Sequence, residues 1–301
     1  MRSLFRIWHT ALWEWSGAIR SRRALVVLFL YLASSILCMN GSISVLGKME
    51  KELAVVLQLP ESEKTGVVSA SLWKSKPFTR IVRATVGEGP VLDDIFGRHP
   101  VELLYAWFAF LCAPLIAVLV CGTRVSDDLR SGAVRYMLVR ETRLEWTFGK
   151  YLGQTFMIGV SLAASSLGAV SVAFFRLSPE IAAELAFPML TWGVRAWIYS
   201  LAWIGLALGL SHLTRSPGRA TALGIFTICF FAVASPLIGY FHSHFGLPDA
   251  VLQIRMLFPS SPEPLLWRSS LTPLVSGTFH LLVLGLTYLM FGAAVFSRRD
   301  V

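Results

Sequence analysis

Six long apolar segments constrain this sequence more than any other feature. They cover residues 24–40, 100–122, 151–175, 188–213, 219–241 and 274–296. A helix needs about 20 apolar residues to cross a bilayer core, and in lipid every backbone polar group must be paired within its own segment. The composition agrees, since 55% of the residues are hydrophobic and 15% are charged, against about a quarter charged in soluble domains. The sequence therefore predicts an all-α membrane protein with six transmembrane helices in one domain, residues 1–301.

The distribution of Lys and Arg favours one orientation, because these residues accumulate beside transmembrane helices on the cytoplasmic side. With both termini cytoplasmic, most basic residues that flank the apolar segments lie inside: Arg2, Arg6, Arg20, Arg22, Arg23, Arg124, Arg130, Arg135, Arg140, Arg143, Lys150, Arg215, Arg219, Arg298 and Arg299. The sequence predicts a multi-pass protein of the cell membrane, such as a bacterial inner membrane. The net charge of +9 then reflects the basic residues on the cytoplasmic side, which favour anionic lipid head groups. The sequence has no basic stripe of the kind that binds nucleic acid.

Residues 2–23 precede the first apolar segment and have their own pattern. Apolar residues recur at helical spacing, namely Leu4, Phe5, Trp8, Leu12, Trp15 and Ile19, and charged residues lie among or opposite them. This pattern predicts an amphipathic helix lying at the membrane interface, with its tryptophans at the depth of the head groups. The alternative is a simple extension of the first transmembrane helix.

Two long connections lie on the outer side in this orientation. Residues 45–99 are numerous enough for a small folded cap, with a helical stretch near their start, but too few for an independent domain. Residues 242–273 contain short apolar runs that predict helices dipping into the outer interface. The four cysteines lie in or beside apolar segments without C-x-x-C spacing, so we expect buried free thiols.

The loop at residues 123–150 is the most informative part of the chain. Its apolar residues share one helical face, namely Val125, Leu129, Ala133, Val134, Met137 and Leu138. Asp127, Asp128, Arg130 and Arg135 lie off this face, and the two aspartates fall near the expected helix start, where the helix dipole favours negative charge. The pattern predicts one short amphipathic helix whose apolar ridge fills a groove on a soluble partner. The alternative is an ordinary basic loop on the cytoplasmic side.

This loop resembles that of the membrane (permease) subunits of type-2 ATP-binding-cassette exporters. The resemblance rests on Asp128-Leu-Arg-Ser-Gly132, followed by Arg135, Leu138, Arg143 and Gly149-Lys150, and on the ending Phe296-Ser-Arg-Arg-Asp300. The order of features along the chain is also similar to that of the family. Two departures are Asp128, where Glu is commoner, and residues 139–142, which replace a proline-containing step.

The resemblance implies that residues 123–150 form a coupling loop to an ATPase subunit. The residues carried over as this interface are Asp127, Asp128, Arg130, Gly132, Arg135, Leu138, Arg143 and Lys150. Gly132 would permit close approach, and Arg143 and Lys150 would anchor the return to the membrane. The family also implies two copies of a P-loop ATPase that bind ATP and Mg, and a second permease, either identical or related. The substrate path would run between the permeases, lined by spans one, two and five.

Several chemistries lack the residues they need. No G-x-x-x-x-G-K-[ST] motif is present, so ATP must bind to another chain. The apolar segments contain no cluster of Ser, His and Asp that could form a catalytic site, so we expect no enzyme activity in this chain. His242 and His244 with Met256 have generic spacing, and we expect no metal. Glu102 and Arg195 lie in apolar segments but close enough to their ends for the side chains to extend towards the interface.

The predicted function is thus the permease of an ATP-driven exporter for a lipid-like, peptide or hydrophobic substrate. Two other classes remain open. A secondary transporter would be favoured by a carboxylate in mid-membrane or by an inverted repeat, and neither is visible in the sequence. A mechanotransmitting scaffold would act through residues 45–99 on an external partner.

Overall fold

The computed structural model describes residues 2–20, 22–57, 79–80, 83, 90–245 and 249–298. Its helices are α1 (Arg2–Arg20), α2 (Arg22–Leu57), α3 (Pro90–Phe96), α4 (Pro100–Cys121), α5 (Arg124–Ser131), α6 (Ala133–Leu138), α7 (Arg143–Arg176), α8 (Pro179–His212), α9 (Pro217–Phe245), α10 (Asp249–Arg255), α11 (Glu263–Leu266) and α12 (Leu271–Ser297). Within the described residues, α2, α4, α7, α8, α9 and α12 contain the six stretches long and apolar enough to cross a membrane. The predicted all-α fold with six spans is confirmed.

The fourth span, α8, is the centre of the bundle. It packs against α4, α7, α9 and α12, and 72% of its most apolar stretch is buried. The corresponding fraction is 22% for α2 and 11% for α9, so these two spans lie at the periphery of the single chain. We call the end of the bundle that carries α5 the α5 end and the opposite end, which carries α11, the α11 end.

The sequence contains two G-x-x-x-G patterns, Gly205–Gly209 and Gly149–Gly153, which typically allow close helix approach, and both lie where two helices approach closely. A Cβ on Gly205 or Gly209 of α8 would collide with the backbone of α12, at Gly285 and Tyr288 respectively. A Cβ on Gly149 of α7 would lie 2.5 Å from Cβ of Thr10 in α1. The first pair closes the bundle core, and the second seats the N-terminal helix on α7.

The N-terminal helix α1 has the predicted amphipathic pattern. Leu4, Phe5 and Trp8 are exposed on its outer face, whereas Thr10 and Glu14 are buried against the bundle. Trp15 also turns inward and packs edge-to-face on Phe156, with the ring centroids 5.3 Å apart. One face of α1 is therefore available for lipid, and the other is part of the protein core.

Several helices extend beyond the predicted apolar segments. α7 begins at Arg143, where Thr142 and Glu145 form a reciprocal capping box. α2 continues to Leu57, so the helical start of the 45–99 connection is the end of the first span. Most of the remainder, and with it the predicted cap, lies outside the described residues.

The 242–273 connection and the cysteines differ in part from expectation. The short helices are present as α10 and α11, but Leu266 and Trp267 are buried in the protein and do not dip into the interface. All four cysteines are free, and Cys121 is buried, whereas Cys38 and Cys229 are exposed. An apolar segment does not reveal which of its faces points outward, which is why the burial of these two thiols was wrongly predicted.

Candidate coupling site

The loop between the second and third spans folds as two helices, not as the single helix predicted. α5 ends and α6 begins at Gly132, whose φ of 75° lies in the left-handed region that glycine adopts without strain. No atom of this chain lies within 4 Å of a Cβ built on Gly132, so within the chain this glycine serves the turn. Its close approach to an ATPase stays a prediction. The change of direction at Gly132 sets the angle between α5 and α6.

The apolar face of this loop is directed into the bundle. Val125 and Val134 are fully buried, and Leu129, Met137 and Leu138 pack partly buried against the same core. Ser126 fixes α5 to α8, because its backbone N–H donates to Oγ of Ser211 over 3.0 Å. The predicted apolar ridge for a partner, including Leu138, is therefore used to dock the loop on its own protein.

A different surface of the loop is exposed. It carries Arg130 and Arg135 from the predicted set, together with Tyr136 and Val139, which are 81% and 84% exposed. We call these four residues the exposed face of α5–α6. Asp127 lies beside it and pairs with Arg130 over 3.4 Å. Sequence analysis missed Tyr136 and Val139, although two large apolar residues outside the periodic face were a usable signal.

Behind α5 lies a group that we call the buried ionic cluster, formed by Glu14, Arg124, Asp128, Lys150 and Gln154. The Lys150 ammonium lies 2.8 Å from Glu14 and 2.7 Å from Asp128. Lys150 is 2% exposed, and its side chain holds α1 and α5 from inside the protein. Asp128 is partly buried and directs its carboxylate towards Lys150. Contact of these two residues with an ATPase stays a prediction.

The buried ionic cluster compensates its own charges. Gln154 donates to Glu14 over 2.8 Å, and the Arg124 guanidinium lies 3.9 Å from the same carboxylate. Burial alone would raise the pKa of Glu14, but Lys150 and Arg124 together with hydrogen bonds from Lys150 and Gln154 lower it overall. Two cations and two carboxylates are thus brought together from α1, α5 and α7.

Arg143 has a separate structural role at the same end. Its guanidinium donates to the carbonyl oxygens of Phe296 and Ser297 over 2.8 and 2.9 Å, at the C-terminus of α12. A cation at this position satisfies carbonyls that have no partner within the helix and complements the helix dipole. The start of α7 is therefore tied to the last span, in agreement with the anchoring role implied for Arg143.

The intramembrane charges expected to extend towards the interface are held inside the protein. Glu102 is 4% exposed, pairs with Arg98 over 2.8 Å and accepts a hydrogen bond from the Trp192 indole. Arg195 is 7% exposed and donates to the carbonyl of Leu266 over 2.8 Å. Trp192 and Leu266 belong to other helices, which spacing within one segment does not reveal, whereas Arg98 lies only four residues before Glu102.

Neither end of the bundle offers a metal centre in the part of the chain that the structure describes, where no three His, Cys, Asp or Glu side chains cluster. His244 Nδ1 instead contacts the carbonyl of Tyr240 over 3.0 Å in its own helix. The expectation that the chain binds no metal stays a prediction.

The layout of spans, docked N-terminal helix and coupling loop agrees with the comparison to known families. No curated protein matches this sequence. The family model described as ABC-2 family transporter protein matches residues 8–301, almost the whole chain. The resemblance to type-2 ATP-binding-cassette permeases is confirmed, and this multi-pass membrane protein belongs to the ABC-2 transporter family.

Proposed function

We propose that this chain is the permease of an exporter driven by a separate P-loop ATPase, and that the exposed face of α5–α6 is the contact between them. The family implies an ABC ATPase partner. The observation that carries the proposal is the exposed face of α5–α6, where the cations Arg130 and Arg135 lie beside Tyr136 and Val139. The other side of this loop packs against the bundle. Arg and Tyr are typical anchors of protein interfaces.

The connections behind α5 support a mechanical role. A push on α5 would reach α8 through Ser126 and Ser211, and would reach α1 and α7 through Asp128, Lys150 and Glu14. Packed contacts of this kind transmit displacement because a packed core does not deform continuously. ATP and Mg would bind to the ATPase, and closure of two ATPase copies would switch the access of the path through the spans.

The peripheral position of α2 and α9 supports pairing with a second permease, either identical or related. These spans bury the smallest fractions of their apolar stretches in the single chain. The path would run between the two permeases, as the resemblance implies, and carry a lipid-like, peptide or hydrophobic substrate outward. Both termini and α5–α6 would face the cytoplasm, as at a bacterial inner membrane.

The proposal is tested by purifying the tagged chain in mild detergent and identifying co-purifying proteins. We expect a stoichiometric P-loop ATPase, and we expect the double variant Arg135→Glu, Tyr136→Ala to lose it. Arg22→Glu reverses an exposed charge at the same end of the bundle and serves as the matched control. An ATPase retained by the double variant would move the contact elsewhere, and a wild-type chain without any ATPase would contradict the proposed function.

A further inference from the structure

A cavity of about 660 Å³ lies near the α11 end of the chain. Spans α4, α8 and α9 form its walls, and residues of α3 and the 255–267 segment close it. The rings of Trp107, Phe110, Trp203, Phe231 and Trp267 line it. Sites for small organic molecules have volumes of about 300–1,000 Å³ and mostly apolar walls with a few polar groups, so this cavity has the right size and lining.

Glu263 is partly buried and gives the cavity a carboxyl group whose surroundings differ from those of the buried glutamates. Among the described residues the buried glutamates are Glu14, Glu102 and Glu145, and each lies within 4.0 Å of a Lys or Arg. Among the described residues no Lys or Arg pairs with Glu263 at this distance. Burial raises the pKa of Glu263, hydrogen bonds from Trp267 and Tyr199 partly offset this, and no cation contributes.

The remaining polar groups of the cavity do not neutralise Glu263. Arg255 also lines it, but its Nε donates to Ser235 of α9 over 3.0 Å and its side chain is exposed. The buried hydroxyl of Ser260 has no hydrogen-bond partner. The other charged or titratable groups packed around α11 have partners of their own: Asp94 with Arg268, Arg98 with Glu102, Arg195 with backbone carbonyls, and His280 with the carbonyl of Met256.

We propose that this cavity binds a hydrophobic organic cation, with the aromatic rings around its apolar body and Glu263 as its counter-charge. Aromatic faces attract cations, and this attraction is strongest where water is excluded. A positive ligand would supply the partner that Glu263 lacks in the chain itself. Arg255 is exposed, so solvent screens its repulsion of a cation. Glu263 is partly buried, so its attraction for the same cation is screened less and outweighs that repulsion.

This inference goes beyond the proposed function and does not depend on an ATPase. It locates a ligand site inside one chain, whereas the proposed substrate path lies between two. Binding to the purified permease alone tests it, so a negative result here leaves ATPase coupling untouched, and loss of ATPase coupling leaves this site untouched.

Two probes of nearly the same shape and opposite charge provide the test: tetraphenylphosphonium and tetraphenylborate. Their binding is measured by equilibrium dialysis against the wild-type chain in nanodiscs, with empty nanodiscs subtracted. We expect the wild type to prefer tetraphenylphosphonium, and Glu263→Gln to weaken its binding at least about tenfold, as for loss of one buried charge contact. Glu180→Gln removes an exposed carboxyl at the start of α8 and should bind like the wild type.

The pH dependence provides a second readout that a merely structural role of Glu263 would not produce. Tetraphenylphosphonium does not titrate, so its affinity for the wild type should rise with pH as Glu263 loses its proton, and should be flat in Glu263→Gln. Equal affinity of the wild type for both probes, or tetraphenylphosphonium binding unchanged by Glu263→Gln, would overturn the proposal.

Discussion

At the α5 end of this transporter, the buried ammonium of Lys150 lies between Glu14 and Asp128, whereas at the α11 end the Glu263 carboxyl faces an aromatic cavity with no ion pair among the described residues. Both regions contain charge removed from water, which costs several kcal/mol per ion unless it is compensated. At the first, cations of the chain compensate the carboxylates, and at the second only hydrogen bonds from Trp267 and Tyr199 do so. The comparison separates a charge group that holds helices together from one that is available for a ligand.

Reversing the charge of Lys150 is the most severe test of this contrast between the two charged regions. Lys150→Glu would put three carboxylates together beside Arg124, and we expect no folded, monodisperse protein on size-exclusion chromatography. Lys48→Glu reverses an exposed lysine on α2 and should leave the elution profile unchanged. Normal recovery of Lys150→Glu would mean that the buried ionic cluster does not hold α1, α5 and α7 together.

The packing of α1 against α7 can be tested without altering any charge. Gly149→Ala should destabilise the protein by about 1–3 kcal/mol, because the added methyl group meets Thr10 at 2.5 Å. Gly17→Ala in α1 meets nothing within 4 Å and should be neutral or stabilising. Unfolding followed by tryptophan fluorescence in detergent measures both. A loss in Gly17→Ala as large as in Gly149→Ala would contradict the close packing of the two helices.

The turn between α5 and α6 should show a smaller effect. Gly132→Ala places a side chain at φ 75° and should cost about 1–2 kcal/mol, and Gly132→Asn should cost less because asparagine tolerates this region. The same unfolding measurement applies. If Gly132→Ala and Gly132→Asn were both as stable as the wild type, the left-handed turn would not be needed to place α6.

The smallest expected effect is a difference in pH dependence. The lowered pKa of Glu14 implies a stability contribution that is present above the ordinary glutamate value and lost as the pH falls through the folded-state value. The raised pKa of Glu263 implies the reverse, a contribution present in acid and lost as the pH rises through its folded-state value. Melting temperatures between pH 3 and 8 should therefore lose part of their acid-side slope in Glu14→Gln and gain slightly at neutral pH in Glu263→Gln. The same change in both variants would contradict the assignment.

The sequence was sufficient to predict the spans, a helix within residues 2–23 and the close helix approaches. These features depend on segment length, on helical periodicity and on small residues four apart, which are all local properties. The position and motif of residues 123–150 also led to the proposal that this loop couples to an ATPase. Periodicity alone could not show whether the apolar face of that loop would meet a partner or the bundle, and it meets the bundle.

The two charged regions could not be predicted because their contacts span the chain. Lys150 and Glu14 are 136 positions apart, and nothing near either residue identifies the other. Gly149, Lys150, Gly153 and Gln154 do share one face of α7, and small residues beside polar ones on such a face indicate that a polar helix packs there. Glu263 lies in the 242–273 connection, for which the sequence predicts only short interfacial helices, and its position on a cavity depends on α4, α8 and α9.

The central claim, that Lys150 is structural and Glu263 is not, is tested most directly by measuring the unfolding free energies of Lys150→Met and Glu263→Gln side by side in the same detergent. Removing one member of a buried ion pair typically costs about 3–5 kcal/mol, so Lys150→Met should lose stability on this scale. Glu263→Gln should be as stable as the wild type or more so at neutral pH, because it removes a buried carboxyl without a cation. Comparable losses in both variants, or a loss only in Glu263→Gln, would contradict the claim.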